Sequence, residues 1–264
     1  MSCEIFFCTF ALNPKKSKPV AQGSLLKAHR SPLMKQYQHL FFDLDHTLWD
    51  HETNAYISLE EVYHHFKLNQ FGIDSVTKFQ QIFSEVNAQL WTQYERNQIT
   101  SDKLRHARFR LIFSQFGVKN HFLCDDISEY YLTICPRKPN LIPSAMEVLE
   151  YLAPKYKMHL ITNGFSDIQG LKMAAGGITH FFEEVITSQR AGEKKPNRQI
   201  FDFALKTAKA EAQNSLMIGD NPEADIAGAL NAGIDAVWFN PDNQVFDVKP
   251  THQIRYLKEL LKIL

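Results

Sequence analysis

The sequence has no excess of charge of either sign. Among its 264 residues Lys plus Arg number 29 and Asp plus Glu 29, for a formal net charge of +0. A surface that grips nucleic acid or an anionic membrane needs a basic surplus to displace phosphate counterions. Neither a nucleic acid polymer nor a membrane is therefore expected as a partner. Cysteine is scarce: Cys3, Cys8, Cys124 and Cys135 are scattered and none forms C-x-x-C. That excludes a disulfide framework and makes a reducing, cytoplasmic setting the expectation. No apolar run approaches the roughly 20 residues of a membrane helix. The short run from Ile5 to Leu12 follows Glu4 and precedes Lys15, Lys16 and Lys18, the reverse of a secretory signal.

Hydrophobic residues make up 44% and charged residues 22%, which excludes a disordered chain and provides for a sizeable core. Residues 1–33 are the exception. After the short apolar run they are polar, basic and interrupted by Pro14, Pro19 and Pro32, without helical or strand period. They are expected to be a poorly ordered extension, or sequence upstream of a true start at Met34. Their net charge is +4, which leaves −4 for the rest.

From Tyr37 the pattern changes. YQHLFFDL is a short apolar run with acidic residues at its end, and four more follow: Met158–Thr162, Val185–Thr187, Ser215–Gly219 and Asp235–Asn240. Helical periodicity covers 144–155, 197–209, 223–232 and 254–264. Strand alternating with helix predicts an α/β fold, a doubly wound (Rossmann-like) parallel sheet. Residues 53–136 break the alternation with four predicted helices, the third capped by Thr100. This is an inserted all-helical cap, leaving 34–52 and 137–264 as the core. Ligands in such sheets bind beyond the strand C-termini, where the insertion emerges, so a lid is expected.

Four short motifs sit at strand ends. Asp43 and Asp45 are two residues apart after the first strand and are expected to face one crevice. Two close carboxylates repel unless a cation or shared proton intervenes. Thr162-Asn163-Gly164 offers a hydroxyl and backbone N–H groups to a phosphate, or is simply a turn. Lys194-Lys195-Pro196 opens the 197–209 helix with Pro196 at its first position, and Lys195 points a cation into the crevice or is merely exposed. Gly219-Asp220-Asn221-Pro222-Glu223-Ala224-Asp225 supplies a third acid, Asp220, for a hard divalent cation. Asp225 either caps a helix or orients Lys195.

In this order the four motifs resemble the haloacid dehalogenase superfamily, over roughly 34–52 and 137–240, with the insertion like that superfamily's first type of cap. The resemblance implies Asp43 as nucleophile and Asp45 as general acid, then base. It implies Mg²⁺, with Mn²⁺ as an alternative, on the Asp43 carboxylate, the Asp45 carbonyl and Asp220. Thr162 and Lys195 would hold phosphoryl oxygens, and Asn163 and Gly164 would help bind substrate. Val86–Trp91, Tyr94, Asn97–Thr100, Arg108-Phe109, Trp238-Phe239-Asn240 and neighbouring motifs further resemble the noncanonical pyrimidine 5′-nucleotidase branch. That implies hydrolysis of pyrimidine nucleoside monophosphates, with Trp91, Tyr94 and Arg108 as candidate base readers or as cap packing. The alternatives are a phosphatase or phosphomutase for other small metabolites, a 2-haloacid dehalogenase-like hydrolase, or a catalytically silent binding protein. Oligomeric state is left open.

Overall fold

The computed structural model describes residues 37–264. The expectations for residues 1–33, Cys3 and Cys8 lie outside them. Six parallel strands form one sheet in the order β3-β2-β1-β4-β5-β6. They are β1 (His39–Phe42), β2 (Lys157–Thr162), β3 (Phe182–Thr187), β4 (Ser215–Gly219), β5 (Asp235–Phe239) and β6 (His252–Ile254). The expected α/β architecture is thus present. The central strand is the first in sequence, and Phe42 pairs with Leu160 on one side and Ile218 on the other.

Alternation along each strand divides the core into two layers. Leu40, Phe42, Leu160, Leu216, Ile218 and Val237 face one way. Phe41, Ile161, Met217, Ala236 and Trp238 face the other, against Ile200, Phe201 and Ala204 of the helix Arg198–Ala208. Phe41 and Phe201 are fully buried, and each such ring contributes about 1.5–3 kcal/mol of burial.

Between β1 and β2 run α1 (His51–His65), α2 (Val76–Glu95), α3 (Ser101–Gln115) and α4 (His121–Ile134), then α5 (Ala145–Leu152). The four insertion helices start on side-chain caps. Asp50, Ser75, Thr100 and Asn120 accept from the backbone N–H of Thr53, Lys78, Lys103 and Leu123, each worth about 1 kcal/mol. Phe79, Phe83, Leu104, Phe109, Ile112 and Tyr131 form the buried interior between them. At its base the insertion is stitched. The Asn140 N–H and side-chain amide donate to Asn54 Oδ1 at 3.2 and 2.7 Å, and Asp50 N donates to the Asn140 carbonyl at 3.1 Å. None of the described helices is long and apolar enough to cross a membrane.

Four local expectations need correction. A helix, α6 (Ser166–Ala175), lies between β2 and β3, where no specific helix was predicted. The predicted 254–264 helix is instead the end of β6, a 3₁₀ turn at Leu257–Glu259 and a four-residue helix at Leu260–Ile263. Ile254, Leu257 and Leu260 recur every three residues, a spacing a 3₁₀ turn serves as well as an α-helix. The 223–232 helix is a π-helical turn, Pro222–Ala227, running into a short α-helix, Gly228–Asn231. Pro196 does not occupy the first position of the helix Arg198–Ala208. Asn197 caps that helix by accepting from Gln199 N.

Candidate active site

The crevice beyond the C-terminal ends of β1, β2 and β4 measures about 370 Å³, within the range of small-molecule sites. The β1 backbone continues one residue past the strand, with Asp43 N donating to the Ile218 carbonyl at 2.9 Å. The chain then turns through His46, whose φ is +62°. Asp43 and Asp45 therefore both line the crevice, but by a turn rather than by strand alternation.

Lys195 is the electrostatic centre. Its Nζ lies 2.5 Å from Asp43 Oδ1, 2.6 Å from Asp225 Oδ1 and 2.8 Å from the Ile161 carbonyl, and it is only 2% exposed. Burial alone would lower its pKa, but Asp225 and Asp43 outweigh this and raise it. The two carboxylates thus favour the charged ammonium. Asn163 positions it by clamping its backbone: Lys195 N donates to Asn163 Oδ1 at 2.8 Å, and Asn163 Nδ2 donates to the Lys195 carbonyl at 3.1 Å. The Asn163 amide, expected to meet substrate, is thus occupied on both atoms. Asp225 both orients Lys195 and caps the turn that follows β4, accepting from Asn221 N at 3.0 Å. Gly219 makes this possible, because a Cβ there would lie 2.3 Å from Asp225 Oδ2.

Carboxylates outnumber cations at this point. Oxygens of Asp43, Asp220 and Asp225 lie within 4.8 Å of one another. Burial, then the neighbouring acid Asp225, pushes Asp220 up to about 7 against the pull of Thr47 and Lys195. Burial likewise raises Asp43 well above the ordinary carboxyl range despite Lys195. Such a set of hard oxygens, costly to ionise together, fits a divalent cation. Thr47 Oγ1 donates to Asp220 Oδ1 at 2.9 Å and Trp238 Nε1 to the Asp220 carbonyl at 2.9 Å, fixing the residue from both sides.

Asp45 belongs to a different network. Lys172 Nζ lies 2.5 Å from its Oδ1, Gln169 Nε2 donates to its Oδ2 at 3.2 Å, and His51 Nδ1 stands 3.8 Å away. Burial would raise its pKa, but Lys172 and then His51 hold it well below the usual carboxylate range. His51 is itself pushed down to about 4, chiefly by burial, and is neutral near pH 7. Thr162 Oγ1 accepts from Gly164 N at 3.0 Å and Gln169 Nε2 at 3.2 Å. Its single proton is left to donate. A Cβ on Gly164 would lie 1.4 Å from Gln169 Nε2, so this glycine is the space in which Gln169 sits.

Residues of α2 form part of the crevice wall. Trp91 lines it and stacks on Phe165 at 5.3 Å and 22°. Tyr94 is buried edge-on against Trp91 and Phe165 and borders a separate recess beside Lys194. Arg108 is 6% exposed, with its guanidinium 5.7 Å from the ring centres of both Phe83 and Tyr131. Glu95, at the end of α2, lines the crevice, and burial raises its pKa. Across the interface, Lys194 Nζ donates to the Tyr94 carbonyl at 2.5 Å and Asn97 Oδ1 at 2.6 Å, and Arg105 pairs with Asp167 at 2.6 Å.

Thr47, His51, Glu95, Gln169 and Lys172 were not singled out in the sequence. Thr47 lies two residues after Asp45, and that proximity is the signal for it. Gln169 and Lys172 lie on the helix that was missed.

Comparison with known proteins gives a consistent result. The family profile described as "Haloacid dehalogenase-like hydrolase" matches residues 40–239. The chain is 30% identical over 228 residues to the pyrimidine 5′-nucleotidase YjjG of Escherichia coli, covering 85% of this chain and 96% of that one. It is 29% identical over 235 residues to the pyrimidine 5′-nucleotidase PynA of Streptococcus pneumoniae, covering 86% and 95%. The crystal structure of the HAD-hydrolase YfnB of Bacillus subtilis bound to magnesium superposes with a TM-score of 0.78 at 27% identity, covering 87% of this chain and 99% of that one.

Proposed function

The chain belongs to the haloacid dehalogenase-like hydrolase family, and on that premise we propose that it is a metal-dependent phosphomonoesterase, a 5′-nucleotidase for pyrimidine nucleoside monophosphates. A cytoplasmic setting goes with this proposal, as does the assignment of residues 53–136 as cap over a core of 34–52 and 137–264. The observation that carries it is the Asp43 carboxylate at the end of the central strand, gripped by Lys195 and faced by Thr162 and Asp220.

In this mechanism an Asp43 oxygen attacks phosphorus. The ester P–O bond breaks, and the leaving oxygen takes a proton from Asp45. Water then attacks the aspartyl-phosphate and gives its proton to Asp45. The bond from phosphorus to Asp43 breaks, releasing phosphate and the Asp43 carboxylate. Splitting hydrolysis this way replaces one hard displacement by two easier ones. Lys172 and Gln169 hold Asp45 in its base form, the form the second step needs. The first step needs its acid form, and a phosphate dianion arriving beside Asp45 raises its affinity for a proton. Thr162 and Lys195 donate to phosphoryl oxygens, and Asn163 keeps Lys195 in place. Asp43, Asp220 and the Asp45 main-chain carbonyl would hold Mg²⁺, which when bound neutralises the acid cluster and the phosphate charge.

The test is phosphate release from a panel of nucleoside monophosphates and sugar phosphates, with Mg²⁺, with Mn²⁺ and with EDTA. Preferred turnover of UMP, dTMP or CMP, abolished by EDTA and by Asp43→Asn, is expected. Preference for a non-nucleotide ester would move the chain to the broader phosphatase alternative. Halide release from 2-chloropropionate without phosphatase activity would overturn the reading.

A further inference from the structure

A second cavity of about 40 Å³ adjoins the crevice between insertion and core. The two share Asp45, His51, Asn87, Trp91 and Gly164 as lining residues. Buried polar side-chain atoms almost always have partners, and those that do not call for explanation. Among the described residues, six such atoms have no hydrogen bond: His51 Nδ1, Asn87 Oδ1, Arg105 Nε, Arg108 Nε, His159 Nδ1 and Gln169 Oε1. Four of these, on His51, Asn87, Arg108 and Gln169, belong to residues lining this one cavity. So much unpaired polarity around so small a space marks a subsite built for a polar group.

The chemistry of that group follows from which atoms are fixed. Arg108 Nε is a donor and can be nothing else. Gln169 is pinned, because its Nε2 donates to Asp45 Oδ2 and Thr162 Oγ1. Rotating the amide would set its oxygen against the Asp45 carboxylate, so Oε1 is a fixed acceptor. Asn87 is free to serve as either. The complement is a neutral group with an acceptor oxygen beside an N–H. A carboxylate fits less well: it offers no donor to Gln169 Oε1 and would sit beside ionised Asp45. The volume admits a few water-sized groups, the polar edge of a ring but not the ring. The rest of the ring then lies in the larger crevice against Trp91.

We propose that this cavity binds the amide edge of the substrate's base, a carbonyl oxygen beside a ring N–H, with Arg108 donating to the carbonyl and Gln169 or Asn87 accepting from the N–H. The inference rests on the nucleotidase reading and names the residue that selects within it. Arg108 is then the specificity residue, although it touches neither phosphate nor Asp43.

The test compares kcat/KM for UMP, 3-methyluridine 5′-monophosphate, ribose 5-phosphate and 2-phosphoglycolate, in the wild-type protein and in Arg108→Met and Arg108→Lys. In the wild type, methylating N3 is expected to lower kcat/KM at least tenfold, and removing the base still more, as when a site built to hydrogen-bond its substrate meets an analogue lacking the group. In both variants the advantage of UMP over ribose 5-phosphate is expected to shrink at least tenfold. A purely structural defect would lower both substrates together and leave that ratio unmoved. Arg108→Lys keeps the charge but not the Nε–H, so it serves should Arg108→Met fail to fold. Variants that retain the wild-type ratio would overturn the inference while leaving the nucleotidase reading intact. Preference for 2-phosphoglycolate over UMP would overturn it in favour of an anion subsite. Wild-type protein that hydrolyses other esters but no nucleotide would overturn the nucleotidase reading itself, visible without any variant.

Discussion

The Lys172 ammonium lies 2.5 Å from Asp45 Oδ1 and 4.5 Å from the centre of the Trp49 ring. It ties α6 to the turn after β1 and keeps Asp45 ionised. Replacing it by Met leaves burial as the main influence on Asp45, and burial raises a carboxyl pKa. The acidic limb of kcat for p-nitrophenyl phosphate, which reports the step in which Asp45 must be the base, is expected to move up by about one pH unit or more in Lys172→Met, the usual effect of losing an adjacent cation. A limb that stays where it is would remove Lys172 from the control of Asp45.

Lys195 bridges two buried acids. Lys195→Met leaves Asp43 and Asp225 buried together without their ammonium. Breaking a buried pair from one side costs about 3–5 kcal/mol. Urea unfolding in EDTA is expected to show a loss of that size, with turnover abolished.

Metal and pH are linked through the acid cluster. Asp220 is raised from 3.8 to about 7 and Asp43 is raised as well. Between about pH 4 and 7 the folded, metal-free protein therefore holds protons that the unfolded chain has released. These acids make stability fall as pH rises through that window, while His51 and His159, each lowered to about 4, act the other way. The stability difference between wild-type and Asp220→Asn protein in EDTA isolates the acids' share and is expected to show the decline, with saturating Mg²⁺ flattening it by stabilising the ionised form. A difference that stays flat in EDTA would contradict the cluster's electrostatics.

Gly164→Ala tests a purely steric claim. The new methyl would sit 1.4 Å from Gln169 Nε2, so Gln169 must leave Asp45 and Thr162. A fall in kcat of at least tenfold is expected, because Gln169 can no longer hold Asp45 and Thr162. Unchanged kcat would mean that Gln169 positions neither group.

The strands and the acids at their ends were legible because an apolar run ending in Asp, Thr or Gly-Asp is a local signal. β1 and β4 are buried along their whole length, so their composition is continuous and apolar. α6 was not legible, for the reason that makes it useful. Its inward face carries Gln169 and Lys172 alongside Met173, so no apolar stripe marks its period. The polar residues that serve Asp45 erase the pattern by which a helix is recognised. β6 is a three-residue edge strand with two exposed positions, too short to stand out. The partnership of Lys195 with Asp225 is one of the two roles the motif leaves open for Asp225, whereas the hold of Lys172 on Asp45 is hidden with α6, the helix on which Lys172 lies.

The Asn54–Asn140 stitch and the Asp50–Asn140 bond bring the entry and exit of the long excursion from the sheet to a single point. To the core, everything from α1 to α4 is a loop already closed at its neck, and lengthening or replacing such a loop adds little closure entropy. On the proposed reading, the residues that react with phosphate sit at the strand ends, and Arg108 and Trp91 reach the substrate from a segment anchored at that neck. Exchanging that segment at its neck is then expected to alter substrate preference while leaving in place the strands that hold Asp43, Thr162 and Asp220.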